Sequence, residues 1–73
     1  MRLIDKTESL SGYKATIATK DRDYSILIRN GRVQQLQVYT PRAQGISGGW
    51  YDLPIVAYRE LAETLREFTA KGI

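Results

Sequence analysis

The 73-residue chain has no cysteine and no histidine, and only two prolines. Those absences exclude disulfides, thiolate nucleophiles, the usual zinc ligand sets and an imidazole base. No apolar run approaches the ~20 residues needed to cross a bilayer as a helix, and the opening MRLIDKTESL lacks the uninterrupted apolar core of a signal peptide. The expectation is a cytoplasmic protein with no membrane attachment, metal or cofactor. A chain of this length is read as one domain over residues 1–73. It buries only ~60% or a little more of the surface its unfolded form exposes, so stability has to come from packing, with a partner subunit as a further source.

The strongest pattern present is helical. From Tyr51 to Phe68, a 3.6-residue period puts Ala57, Tyr58, Leu61, Leu65 and Phe68 on one side, with Ala62 at the edge. Arg59, Glu60, Glu63, Arg66 and Glu67 fall on the other. Asp52 is placed to accept from free N–H groups at the start, Pro54 suits a first turn, and Gly72 is a stop signal. Such a helix needs a surface to cover, and the preceding residues read as strands.

Residues 1–12 form an edge strand or a mobile arm. In YKATIATK, Tyr13, Ala15 and Ile17 alternate with Lys14, Thr16, Ala18 and Lys20; after a polar turn at Asp21 to Asp23, Tyr24, Ile26 and Ile28 alternate with Ser25, Leu27 and Arg29. Asn30-Gly31 suits a type I′ hairpin. Then VQQLQVYT puts Leu36 and Val38 on a face with Gln34 and Thr40, and Val33, Gln35, Gln37 and Tyr39 on the other, until Pro41 ends the run. Ile46 sits where a short fourth strand fits, before Gly48 and Gly49 turn the chain into the helix. The fold class expected is α+β, a three- or four-stranded antiparallel sheet followed by one C-terminal amphipathic helix.

Little here can carry catalysis. Asp21 and Asp23 are two apart in a turn, with no apolar pocket to raise the pKa of either. Glu60, Glu63 and Glu67 interleave with Arg59 and Arg66 as on an ordinary solvated helix face. The glycines of GISGG lack the lysine and hydroxyl residue of a phosphate-binding loop. No enzyme activity is expected.

Binding is better supplied. Residues 1–52 hold eight Arg or Lys against five Asp or Glu, and residues 53–73 hold three against three, so the excess of +3 lies outside the helix. The sheet face away from the helix presents Lys14, Thr16, Lys20, Ser25 and Arg29, joined by Gln35, Gln37 and Tyr39. Cations, hydroxyls, amides and an aromatic suit phosphate contacts with base stacking. Trp50 is read as a cap over the helix start or as a second stacking platform.

The order of these elements carries a resemblance. DYSILIR, a turn, PRAQGIS, an aromatic and a helix ending L-x-x-x-L-x-x-F resemble the single-stranded-DNA-binding domain of the transcriptional coactivator family called positive cofactor four. Ile28-Arg29 matches that family's strand-ending pair, Pro41-Arg42 and Gly45-Ile46-Ser47 match much of its basic segment, and Tyr58 to Phe68 fills its helix. Gln44 stands where the family has a basic residue, and Gly48 where it has an apolar one. The resemblance implies a homodimer whose strands curve into nucleic-acid-binding ribbons, with the helices near the two-fold axis. The expected function is therefore non-catalytic binding of single-stranded DNA or RNA, with Lys14, Lys20, Arg29 and Arg42 on phosphates and Tyr39 or Trp50 on bases. The alternative is a small interaction subunit that docks by its helix or a strand edge onto a protein partner.

Overall fold

The two-residue period of the first forty residues, broken at three tight turns, becomes an antiparallel meander in the computed structural model, which describes residues 1–41, 45 and 47–71. Strands β1 (Arg2–Ser9), β2 (Gly12–Ala18), β3 (Asp23–Arg29), β4 (Arg32–Thr40) and β5 (Gly49–Asp52) pair consecutively in one sheet, and helix α1 (Arg59–Ala70) follows. The architecture is α+β as expected, with one strand more than the three or four anticipated. The N-terminal segment is the edge strand of the two alternatives.

Local chemistry accounts for the turns. Asn30 and Gly31 have φ of 53° and 77°, the positive pair that a type I′ hairpin demands. At the β2–β3 turn, the Thr19 hydroxyl donates to the Arg22 carbonyl at 2.7 Å and accepts from the Arg22 N–H at 3.1 Å. Gly12 opens β2 because any side chain there would overlap the Ile28 backbone carbonyl of β3.

Two bulges set the faces. Leu27 pairs with Gln35 but Ile28 pairs with Val33, so Gln34 is the extra residue in β4. Strict alternation put Val33 with Gln35 and Gln37. The bulge moves it to the helix side instead, where it packs against the core beside Leu36. In β1, Leu3 pairs with Ile17 and Asp5 with Thr16, which leaves Ile4 as the extra residue and turns Lys6, opposite Ala15, toward the helix.

The core joins Ala15, Ile17, Ile26, Ile28 and Leu36 of the sheet to Ala62 and Leu65 of α1. Leu61 and Phe68 flank it, half-buried. Ala57 and Tyr58 do not belong to the helical stripe. Tyr51 and Asp52 are in β5, the chain turns over residues 55–58, and the helix begins only at Arg59, so both side chains are exposed. Asp52 does not cap the helix; its Oδ1 accepts from the Gln35 and Gln37 amides, each at 3.0 Å. The Pro54 carbonyl instead accepts from the N–H groups of Ala57 and Tyr58. Ile46, placed in a fourth strand by its apolarity, and Gly72, read as the helix stop, lie outside the described residues.

The helix has no basic residue in its last turn, and β1 supplies one. Lys6 Nζ donates to the Thr69 carbonyl at 2.9 Å and lies 4.4 Å from the centre of the Tyr13 ring. Tyr13 Oη and the buried Thr69 Oγ1 are 2.7 Å apart, and that hydroxyl also donates to the Leu65 carbonyl. A cation at the negative end of the helix dipole, with a charge-assisted hydrogen bond, stabilises the last turn and ties the edge strand to it. Lys6→Met is expected to lower stability by about 1–2 kcal/mol, from the lost hydrogen bond and dipole interaction. Urea melts at low salt will read this as a lower midpoint at unchanged slope.

Candidate nucleic-acid interface

Because α1 covers one side of the sheet, the other side is the surface on which the register can assemble a site. Lys14 stands opposite Leu27, which stands opposite Gln35; Thr16, Ser25, Gln37 and Asp52 form the next row; Tyr39 stands opposite Trp50. Lys14 and Arg29 are exposed. Since Arg29 faces Gly12, it is the diagonal neighbour of Lys14, at about 7–8 Å in a sheet. Ser25, expected to be wet, is buried between Thr16 and Gln37. Leu27 is half-buried on this open side.

Three further cations have different outcomes. Lys20 does not share the strand face of Lys14, because β2 ends at Ala18 and Lys20 sits in the following turn, at the end of the sheet away from Arg29. Arg42 lies outside the described residues. Arg32, which sequence reasoning missed, is exposed and is the cross-strand partner of Arg29. The signal was there: the residues flanking a two-residue Asn-Gly turn face each other. Lys14, Arg29 and Arg32 thus form a basic cluster at the β3–β4 hairpin end.

Tyr39 and Trp50 form the opposite pole. Their ring centroids are 5.4 Å apart at 65°, edge to face, and they remain 39% and 41% exposed. The cross-strand contact orders both rings without burying them. Beside Tyr39, a groove of about 420 Å³ is lined by Asp21, Arg22, Asp23, Thr40 and Pro41. On the open side Lys14, Arg29 and Arg32 gather toward the hairpin, whereas at the aromatic end Arg2, Lys20 and Arg22 are interspersed with Asp21, Asp23 and Asp52.

On the helix, Arg66 donates through Nε and Nη2 to Glu63 Oε1 at 3.1 and 2.7 Å. That hydrogen bond holds the Glu63 carboxyl below its ordinary pKa and raises that of Arg66. The pair is solvated, as the spacing implied. Among the described residues, no group of three or more Asp or Glu is placed to hold a metal ion. Nor is any helix among them long and apolar enough to cross a membrane. Comparison with protein-family models, curated proteins and solved structures finds no match to this chain.

Proposed function

We propose that this protein is a non-catalytic single-stranded nucleic-acid-binding protein that acts as a homodimer, in keeping with its resemblance to the positive cofactor four family. The observation that carries this reading is the exposed Tyr39–Trp50 pair on the same sheet face as Lys14, Arg29 and Arg32. Gln35, in the Lys14 row, and Tyr39 are four positions apart along β4, a span of about 13 Å at the rise of a strand. A single strand lying between the poles has its phosphates on the guanidinium and ammonium groups and an unstacked base on the aromatic rings. A duplex keeps its bases stacked inside and offers nothing to the rings.

Fluorescence anisotropy with labelled single-stranded DNA, single-stranded RNA and duplex, across a salt series, tests the reading. Binding of single strands in preference to duplex, weakening steeply with salt, is the expected result. Tyr39→Ala and Trp50→Ala are each expected to weaken it about 5- to 150-fold, the range of one base-stacking interaction. If wild type binds no single strand even at low salt, the interaction-subunit reading replaces this one.

The homodimer rests on surface that the fold leaves uncovered. Val56 is 81% exposed and Tyr58 43% exposed in the turn that leads into the helix. In a chain with so small a core, a second copy covering these side chains adds apolar burial that the monomer lacks. Sedimentation equilibrium at micromolar concentrations is expected to give twice the 8.3 kDa chain mass. A monomer throughout that range removes the dimer while leaving the binding face to be judged by anisotropy.

A further inference from the structure

On the other side of the β3–β4 hairpin, a groove of about 370 Å³ runs between the hairpin and α1. Arg32, Arg59 and Arg66 line it, with Glu63 the one acidic residue among its lining. Glu63 engages Arg66; among the described residues, Arg32 and Arg59 have no carboxylate partner. The groove therefore holds two guanidinium charges in excess. Arg59 is the first residue of the helix, where the dipole disfavours a cation, and the Tyr58 N-cap makes no side-chain hydrogen bond to the first turn. The core does not require an arginine there, since the helix buries Ala62, Leu65 and Thr69. An arginine placed against the local electrostatic preference beside two others is what an external anion would reward.

We propose that this groove is a second phosphate track, which takes the backbone of a single strand after it passes round the β3–β4 hairpin from the open sheet face. The inference rests on the single-strand reading. Arg29 and Arg32 face each other across the hairpin, so Arg32 stands between Lys14 and Arg29 on the open side and the Arg59 and Arg66 that line the groove. Arg59 and Arg66 are seven residues apart, about 10 Å along the axis, and so lie on one face of α1. Only a flexible strand follows this course. Duplex DNA, with a persistence length of about 150 base pairs, does not turn within the width of a hairpin.

The test compares labelled oligothymidines of about 6 and about 20 nucleotides, lengths that bracket common single-strand footprints. The longer strand is expected to bind wild type more tightly than its extra registers alone explain. The Arg59→Gln/Arg66→Gln double variant is expected to lose about tenfold in affinity for the long strand at low salt and to flatten its log-affinity slope by about 0.7, the contact of the unpaired Arg59, while the short strand is unaffected. An Arg59→Lys/Arg66→Lys variant should keep the salt slope, and matched thermal melts establish that both variants are folded. A folded Gln variant with unchanged long-strand affinity and slope overturns the groove alone. Wild type that binds neither length overturns the single-strand reading and the groove with it.

Discussion

Leu65→Asp is expected to abolish the folded state at room temperature. Leu65 is fully buried in α1, in the cluster that joins the helix to Ile17, Ile26 and Leu36 of the sheet. The substitution removes a leucine worth about 1.5–3 kcal/mol of burial and leaves a carboxylate that is either desolvated without a partner or forced neutral, a further cost of several kcal/mol. A domain of this class holds only ~5–15 kcal/mol in reserve, and a 73-residue core belongs at the low end. Circular dichroism in a urea series will show no cooperative transition for the variant. An unchanged midpoint would mean that the helix does not pack on the sheet through this residue. Leu61 marks the contrast: placed by the sequence on the apolar stripe, it is half-buried at the flank, and a charge there can reach water.

That difference has a specific origin. The hairpin Asn30-Gly31, the alternation of β2 and β3 and the helical period of α1 from Leu61 onward were legible because each is dictated by nearest-neighbour chemistry, positive φ at the turn and periodicity in the elements. The segment around Asp52 was not. Asp52 and Pro54 satisfy the rules for a helix start, yet Trp50 and Tyr51 also favour a strand, and only the outer edge of the second half of β4 decides between them. Pairing with β4 draws residues 49–52 into the sheet, delays the helix to Arg59 and shifts the buried stripe from Ala57, Tyr58 and Leu61 to Ala62, Leu65 and Thr69.

The candidate site divides along the same line. Lys14, Arg29 and Tyr39 were nameable from residue type and strand period and Trp50 from residue type alone; the fold places all four on the open face, with Trp50 in β5 and not capping the helix start. Tyr39 keeps the side it was given because the Gln34 bulge precedes it and only Arg32 and Val33, before the bulge, change face. The extra residue leaves no trace in a pattern of two valines and three glutamines. Lys20 was misplaced because alternation by itself does not reveal where a strand stops, and Thr19 ends this one by closing a turn with its own hydroxyl.

The cation cluster gives the second large effect. Replacing Lys14, Arg29 and Arg32 together by Gln is expected to weaken single-strand binding by roughly one to three orders of magnitude at low salt, and to flatten the log-affinity versus log-salt slope by about 2, since each lost phosphate contact removes about 0.7. All three side chains are exposed and make no ion pair among the described residues, so the thermal midpoint should stay close to that of wild type. Lys20→Gln alone is the matched control. Its charge lies beyond the end of β2, on the far side of the sheet from Arg29 and next to Asp21, so its removal should change affinity by less than the loss of any one of the three. Short labelled strands suit the measurement, because they confine binding to the open face and keep Arg59 and Arg66 out of the comparison. A folded triple variant that retains both affinity and slope would place the phosphates somewhere other than this face. A Lys20 effect as large as the triple would put them at the aromatic end of the sheet instead.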